Sequence, residues 1–190
     1  YVTNSIIKMI VEIPKNTHYK LEISKKLENN PIKHDIKKNK IRKIEMPYPA
    51  NYGAAPQTFE DPKHIDKYTG TPGDNDPIDV FDISDIASKT GDVIDLKVLG
   101  AIAMIDDGET DWKIIGINVL DAKANELHDI DSVDKNVLTN ITNFLKNYKI
   151  PEGKTPSFGF DGIAQNKEIA LDVIAETHKQ WKNKFFYSQD

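Results

Sequence analysis

The fold is decided by one continuous stretch, residues 93–120, which reads VIDLKVLGAIAMIDDGETDWKIIGINVL. Two apolar runs, Val93–Ile105 and Trp112–Leu120, flank a polar segment at 107–110 that contains an Asp-Gly pair. Such a pair between two strand-like runs is a strong signal for a β-hairpin. The stretch therefore predicts two long antiparallel strands joined by a four-residue loop over 107–110.

The base of this hairpin is acidic. With a loop over 107–110, Asp106 and Asp111 face each other across the two strands. Lys113 follows on the same face, and Met104 precedes Asp106 by two positions, so an apolar face becomes acidic where the strand ends. The pattern suits either a polar site or a solvated strand end.

Shorter strand candidates precede the hairpin. The first two of them flank a Pro-Lys-Asn turn at 14–16 and predict an opening hairpin. The candidates are Ile6–Ile13, Tyr19–Ile23, Lys40–Met46 and Ile78–Ile83.

Helical periodicity appears only in the last third of the chain. Apolar residues recur at helical spacing from 137 to 148, which predicts a helix capped by Asp131 or Ser132. A second amphipathic helix is predicted over Ile169–Trp181. Because the chain has no internal repeat, linker or low-complexity tract, we expect a single α+β domain over residues 1–190.

Composition excludes several classes of protein. The 190 residues include no Cys, which rules out disulfide scaffolds, iron–sulfur clusters and thiol catalysis. The longest apolar run, Val98–Ile105, is far too short to span a membrane, so we expect a soluble protein without a membrane partner. A formal net charge of −5 argues against a general nucleic-acid binder.

The charged residues themselves are unevenly chosen. The acids are 20 Asp and 10 Glu, and the bases are 24 Lys and one Arg, Arg42. Asp suits turns and hard-cation sites. A lone Arg indicates either a position that needs a planar bidentate fork or a general compositional bias toward Lys.

Several familiar motifs are incomplete. The five His residues lack the spacing of a metal site. Gly153-Lys154-Thr155 resembles the end of a phosphate-binding loop, but position 148 is Tyr where that motif needs Gly. The basic segment 33–43 carries six positive charges and suits either a nucleic-acid patch or a solvated hairpin, although it offers no aromatic residue to stack on a base.

The most informative polar segment, residues 73–79, reads GDNDPID. A calcium-binding EF-hand loop that begins at Asp74 fails at three ligand positions. Pro77 favours an extended Asp76, so the side chains of Asp74 and Asp76 leave on one side, and a bend can bring Asp79 to the same point. Three such carboxylates repel one another unless a cation lies among them. An acidic surface turn is the alternative.

A third polar group lies in the second strand candidate, where alternation places Lys20 and Glu22 on one face. Acids in several groups suit hard divalent cations, and interspersed Lys and Arg suit phosphate oxygens. Metal-assisted phosphoryl transfer to water requires both: carboxylates that hold the metal ions and cationic side chains that bind the phosphate.

Taken in order, these segments resemble the soluble family I inorganic pyrophosphatases. The string DNDPIDV at 74–80 resembles the family signature, and the late ETH at 176–178 with Trp181 resembles the eukaryotic-type branch. Other similar segments are MIVEIP at 9–14, KLEI at 20–23, NYG at 51–53, PQT at 56–58, GETDWK at 108–113 and YKIP at 148–151.

The resemblance implies a five-stranded barrel related to the OB-fold, with extra hairpins and two packed helices. It implies magnesium-dependent hydrolysis of inorganic pyrophosphate to two orthophosphates by direct attack of a metal-activated water. It further implies about two to four Mg²⁺ ions per site, with Mn²⁺ or Zn²⁺ as substitutes, and a homodimer. We expect a cytoplasmic protein that binds no nucleic acid, and because residue 1 is Tyr we expect a trimmed N-terminus.

The resemblance also implies a role for each polar site residue. The metal ligands are Asp74, Asp79, Asp106, Asp111 and Glu22, with Asp79 bridging two metals. The catalytic residues are Asp76, which accepts the proton of the attacking water, Arg42, Tyr52 and Lys20. The substrate ligands are Lys20, Arg42, Lys113, Tyr148, Lys149 and Tyr48, and Glu12 supports the site.

The charges of these residues require a metal. Seven carboxylates and four cations leave a net charge of −3, which repels polyanionic pyrophosphate. Bound magnesium reverses that sign. Two alternatives stay open: an OB-like module that binds single-stranded nucleic acid through segment 33–43, and an enzyme that hydrolyses nucleoside triphosphates or polyphosphate.

Overall fold

A computed structural model describes residues 5–187 of the 190-residue chain. The strands are β1 (Ile6–Ile13), β2 (Leu21–Ile23), β3 (Ile32–His34), β4 (Ile36–Lys37), β5 (Lys40–Ile41), β6 (Asn51–Ala54), β7 (Asp79–Asp82), β8 (Val93–Asp106), β9 (Glu109–Asn118), β10 (Ser157–Phe158) and β11 (Gln165–Asn166). The α-helices are α1 (Lys135–Asn147) and α2 (Lys167–Phe185). Short 3₁₀ turns lie at Ala122–Asn125, Ile130–Ser132, Ile150–Glu152 and Gly159–Gly162.

Five of the strands form a closed ring. Their order is β1-β6-β7-β9-β8, and β8 pairs back onto β1. The β7–β9 pair is parallel, whereas the other pairs in the ring are antiparallel. Closure removes the free edges that an open sheet would expose. With the β2–β3 and β4–β5 hairpins and two helices added, the predicted α+β fold built on a five-stranded barrel is confirmed.

The turn between β8 and β9 has two residues instead of the predicted four. Asp107 and Gly108 both adopt positive φ, at 52° and 85°, which is what a tight type I′ hairpin turn requires. Asp106 therefore pairs with Glu109, and Asp111 lies two positions further along β9. The expectation that Asp106 and Asp111 face each other directly is wrong. They are diagonal neighbours on one face of the sheet.

The predicted opening hairpin is also wrong, although β1 has its predicted bounds. β1 pairs with β6 and β8, whereas β2 pairs with β3. The side chains of Ile7, Met9 and Val11 are almost fully buried, so this strand lies within the ring, while β2 is only half-buried. The strand predicted over Lys40–Met46 shortens to Lys40–Ile41 in the exposed β4–β5 hairpin.

Each helix covers a different apolar cluster. Ile141, Phe144 and Leu145 of α1 pack in the cluster that contains Ile115 of β9. Ala170, Val173 and Ile174 of α2 pack in the cluster that contains Ile114. Since consecutive strand residues point to opposite faces, α1 belongs to the face of β9 that carries its odd-numbered residues.

Both helices begin slightly away from their predicted starts. Asp134 caps α1, because its carboxylate accepts a hydrogen bond from the backbone N–H of Asn136. The predicted caps, Asp131 and Ser132, lie instead in the preceding 3₁₀ turn. Asn166 caps α2 in the same manner. Within residues 5–187, no helix has the length and apolar character needed to cross a bilayer.

Candidate active site

A cavity of about 450 Å³ lies where the ring, the β2–β3 hairpin and the end of α1 meet. The structure brings all fourteen residues that the sequence analysis assigned to a site to the lining of this one cavity. They are Glu12, Lys20, Glu22, Arg42, Tyr48, Tyr52, Asp74, Asp76, Asp79, Asp106, Asp111, Lys113, Tyr148 and Lys149. Their individual roles stay predictions.

The ring positions the polar residues by strand alternation. On β9, Asp111 and Lys113 share a face with Ile115 and Ile117, which are buried in the cluster that α1 covers. On the neighbouring parallel strand, Asp79 is the register partner of Lys113. The same sheet face is therefore apolar along its length and charged at its end, where the cavity opens.

Lys113 is the central cation of the cavity. Its ammonium group, 1% exposed, forms ion pairs with both Asp79 and Asp111, and Tyr52 donates its hydroxyl hydrogen bond to the same Asp79 oxygen. Burial opposes its charge, but Asp111 and Asp79 raise the pKa of Lys113 well above its ordinary value. Burial likewise opposes ionisation of Asp79, yet Lys113 holds the pKa of that carboxyl below its usual range.

The acidic segment 73–79 is anchored on Glu60. The backbone N–H of Asn75 donates to the Glu60 carbonyl at 2.9 Å, and the Glu60 N–H donates to the carbonyl of Asp76 at 2.9 Å. Gly73 permits this approach, because a Cβ there would lie 2.3 Å from the carbonyl carbon of Glu60. The segment therefore lies directly over a residue that the sequence analysis did not single out.

Glu60, Asp74 and Asp111 together form a cluster of hard oxygen ligands. One carboxylate oxygen from each lies within 4.8 Å of the others. Glu60 accepts a hydrogen bond from the Trp112 N–H at 3.0 Å through Oε1, while its buried Oε2 finds no partner among residues 5–187. Three neighbouring carboxylates, one with a buried oxygen that has no partner among these residues, fit a divalent cation such as Mg²⁺.

The pKa values of this cluster indicate how strongly the acids repel one another. Burial, with Asp111 and Asp76 as the next causes, raises the pKa of Asp74 to about 8. Burial raises the pKa of Asp111 to about 6 even though Lys113 opposes the shift. Burial and the charge of Asp74 raise the pKa of Glu60 well above its ordinary value. A cation among these groups would favour their charged forms.

Glu12 is a further buried acid at the edge of the cavity. Its Oε1 accepts the backbone N–H of Ile23 at 2.6 Å, which ties the first ring strand to β2. Burial and the nearby charge of Asp79 raise the pKa of Glu12 to about 8. This placement is compatible with the supporting role that the resemblance implies.

Further cations that could bind phosphate line the same cavity. The Lys20 N–H donates to the Arg42 carbonyl at 3.0 Å, so two predicted ligands are held together by their backbones. Lys149 pairs with Asp106, whose Oδ1 is buried without a partner among the described residues. Tyr148 stacks on Phe144 with ring centroids 5.1 Å apart.

The sequence analysis missed several polar residues of the cavity. Asp35 is the single acid of segment 33–43, and that isolation was the available signal. Lys25 pairs with Asp76 and donates to the carbonyl of Asn75 at 2.8 Å. Glu60, which lies beside Asp74 and Asp111 and not among the residues that line the cavity, is in an irregular loop and had no motif around it. Segment 33–43 forms the predicted exposed hairpin at its tip, while its ends reach the cavity.

Comparison with known proteins shows which family the sequence resembles. Residues 9–182 match the family described as inorganic pyrophosphatase. The chain is 50% identical over 188 residues to the inorganic pyrophosphatase of Drosophila melanogaster, covering 94% of this chain and 56% of that protein. It is 44% identical over 191 residues to the human inorganic pyrophosphatase, covering 96% and 66% respectively. The chain thus spans less than two thirds of the length of these relatives.

The fold also superposes closely on solved structures of pyrophosphatases. The inorganic pyrophosphatase of Schistosoma japonicum superposes with a TM-score of 0.94 at 48% identity, covering 97% of this chain and 68% of that one. The N-terminally truncated vacuolar soluble pyrophosphatase of Trypanosoma cruzi, solved with PPi, gives a TM-score of 0.92 at 39% identity, covering 96% and 71%. From its match over residues 9–182 and these identities, the chain belongs to the inorganic pyrophosphatase family.

Proposed function

We propose that this protein hydrolyses inorganic pyrophosphate to two orthophosphates, with magnesium as the cofactor and by direct attack of an activated water molecule. One observation carries the proposal: the seven carboxylates and four cations that the sequence analysis assigned to a site line a single cavity, together with two further carboxylates and three further lysines. Acids that can hold hard cations and bases that can hold phosphate oxygens are therefore within reach of one small polyanion. The Trypanosoma cruzi relative, which was solved with PPi, supports the same substrate class.

The oxygen donors divide into two groups in this proposal. Asp74, Asp79 and Asp111 would hold the first metal, Glu60 would complete the oxygen cluster that it forms with Asp74 and Asp111, and Asp79 would also serve a second metal. Glu22 and Asp106 would serve metals that arrive with the substrate. When bound, about two to four Mg²⁺ ions, or Mn²⁺ or Zn²⁺ in their place, neutralise phosphate charge and lower the pKa of a coordinated water.

The protein's own residues position the reaction. Asp76, half-buried and next to Asp74 in the anchored segment, accepts the proton of the attacking water. Tyr52 and Lys113 hold Asp79 in place through their contacts with one oxygen. The residues that bind phosphate oxygens are Lys20, Arg42, Tyr48, Lys113, Tyr148 and Lys149. No side chain attacks phosphorus in this scheme, so no covalent intermediate forms.

Glu12 supports the arrangement from β1, which it joins to β2. We further propose that residues 1–190 form one domain and that the protein is a homodimer, as the resemblance implies. Light scattering at several protein concentrations tests the dimer: a mass near twice 21.5 kDa is expected for this chain, and a stable mass of 21.5 kDa contradicts it.

The activity is tested by release of orthophosphate from pyrophosphate. The expected result is rapid release with magnesium, none with a chelator, and recovery when magnesium is restored. ATP and tripolyphosphate serve as competing substrates, because a site sized for pyrophosphate should favour the smaller anion. No release from pyrophosphate, with release from either larger substrate, would overturn the proposed substrate.

A further inference from the structure

The guanidinium group of Arg42 is held by two carboxylates. Its Nε donates to Glu152 Oε1 at 2.7 Å, and its Nη1 donates to Asp35 Oδ2 at 3.1 Å. All three side chains are largely buried, at 11%, 18% and 20% exposure. Charge-assisted hydrogen bonds of this kind fix both the position and the plane of a guanidinium group.

Glu152 contributes to this arrangement from outside the cavity. Among the described residues that line the cavity, Arg42 and Asp35 are present but Glu152 is not. It belongs to the 3₁₀ turn that follows Tyr148 and Lys149, and its N–H donates to the Lys149 carbonyl at 2.9 Å. The ion pair with Arg42 therefore links two segments that both carry predicted phosphate ligands.

The free hydrogen-bond donors of Arg42 point to a positioning function. A guanidinium group has five N–H donors, of which the two carboxylates occupy two. Among residues 5–187, both donors of Nη2 and the second donor of Nη1 have no partner and are left for a ligand in the cavity that Arg42 lines. With two bonds fixing its plane, the group can offer a paired fork to phosphate oxygens without losing further rotational freedom.

Net charge cannot account for the contribution of this group. Glu152 Oε2 also accepts from Lys37 at 2.5 Å, so Arg42, Lys37, Asp35 and Glu152 form a network of two cations and two anions. A network that sums to zero attracts phosphate only weakly at a distance. Its contribution depends on the direction in which the free guanidinium donors point.

We propose that Glu152 is a positioning residue that orients Arg42 toward a phosphate group in the cavity and couples it to the Tyr148–Lys149 segment. This inference rests on the proposed function, because it deepens the role of Arg42 in the same site. It predicts that the loss of phosphate binding on removing Glu152 acts through Arg42, although the substitution also releases Lys37. The matched control is Glu45, an exposed acid of the same chemical type that makes no ion pair within the described range.

A spectroscopic test is possible because Arg42 is the single Arg of the 190 residues. Selective labelling with ¹⁵N-arginine yields one Nε–H signal, and its bond to Glu152 should shift it and slow its exchange with water. Glu152→Ala should lose this protection, and Glu45→Ala should keep it. Equal protection in the wild type and Glu152→Ala would overturn the inference without reference to any activity.

The functional test is a double-mutant cycle. Glu152→Ala should lower kcat/KM for magnesium pyrophosphate by roughly 10-fold, as loss of an orienting partner commonly does, whereas Glu45→Ala should have little effect. In an Arg42→Ala background, Glu152→Ala should change kcat/KM less than about 2-fold. Independent, multiplicative effects of the two substitutions would show that Glu152 acts elsewhere.

A second variant and a binding measurement separate misfolding and loss of turnover from loss of the positioning role. Glu152→Gln keeps the shape and one hydrogen-bond acceptor, so a smaller loss is expected there, and it replaces Glu152→Ala in the cycle if the latter unfolds. Calorimetry with inorganic phosphate and magnesium measures binding without turnover, and Glu152→Ala should bind phosphate more weakly. An inactive wild type would defeat the proposed function, while the Nε–H signal and phosphate binding would still decide the role of Glu152.

Discussion

Asp79 and Lys113 are register partners on two parallel strands, and their side chains also form an ion pair at the mouth of the ring. The distance between their backbones is set by the β7–β9 ladder, which lies inside a closed ring of strands. The most buried cation of the cavity and its acidic partner are therefore placed by secondary structure and not by a loop. Such placement keeps the ligands of a site rigid.

Asp79→Ala is expected to abolish most pyrophosphate hydrolysis. The substitution removes the proposed bridging ligand and one of the two partners of Lys113, so a loss of at least about 100-fold in kcat is expected. Steady-state orthophosphate release measures it. The control is Asp95→Ala, which removes a surface carboxylate that pairs with Lys8 at 2.7 Å. Near-normal turnover in Asp79→Ala would contradict the assigned role.

Arg42→Lys is expected to weaken phosphate binding although the charge is kept. Lysine cannot bond to Glu152, Asp35 and a phosphate group through one planar fork. The KM for pyrophosphate should rise by about 10-fold, which corresponds to about 1.4 kcal/mol. Lys43→Arg, at an exposed neighbouring position, is the matched control. Unchanged kinetics in Arg42→Lys would mean that the lone Arg reflects composition only.

Asp74 should make the stability of the protein depend on pH in the direction opposite to that of an ordinary ion-paired Asp. Burial raises its pKa from 3.8 to about 8, so the folded state holds this proton more tightly than the unfolded state. The resulting stabilisation is complete below about pH 4 and is lost as the pH rises through about 8. Asp74→Asn removes the titration and keeps an oxygen to accept the Asp76 N–H bond.

With a chelator present, the Tm of Asp74→Asn should therefore exceed that of the wild type by an amount that grows from about pH 4 to about pH 8 and levels off above that. Added magnesium should reduce this difference, because it binds the charged carboxylate of the wild type. Thermal melts across that range measure both effects. A difference independent of pH would show that Asp74 does not titrate there.

Calcium is expected to inhibit the magnesium-dependent reaction. Its bonds to oxygen are longer and its coordination is less strict, so it would occupy the carboxylates and misplace the attacking water. Hydrolysis measured at fixed magnesium should fall as calcium is added and recover with excess magnesium. Turnover with calcium alone that equals turnover with magnesium would refute this expectation.

Glu60→Gln is expected to weaken magnesium binding by about 10-fold with little loss of stability. The amide keeps an oxygen for the Trp112 N–H, but it replaces an ionisable ligand of the Glu60, Asp74 and Asp111 cluster. Calorimetric titration with magnesium measures the change. Glu126→Gln, on the exposed surface, is the control. Equal affinity in all three proteins would remove Glu60 from the set of metal ligands.

Much of the fold could be predicted from local pattern. The bounds of β1 and the paired β8 and β9 followed from alternation and from the Asp-Gly pair. The partners of β1 could not be predicted, because the turn at 14–16 fixes a bend, whereas pairing depends on which distant strands bury Ile7 and Met9. The turn length was wrong because two consecutive residues with positive φ close the hairpin earlier than a polar run suggests.

The candidate site shows the same division between local and distant information. Acids grouped in short segments, such as Asp74 and Asp79, could be recognised as candidate ligands from the sequence. Glu60 did not, because its place in the cluster depends on a close backbone approach to Gly73 and on the Trp112 N–H across the fold. Glu152 is hidden for a similar reason, since its only sequence feature is its closeness to Lys149.

Ring closure through β1 also has a kinetic consequence. Residues 6–10 pair with residues 93–97, so β1 cannot complete its pairing in the ring until β8 has formed. Contacts this far apart in sequence raise the contact order and slow folding. Glu12 lies on that strand, so the anionic pocket is complete only after this long-range pairing has formed.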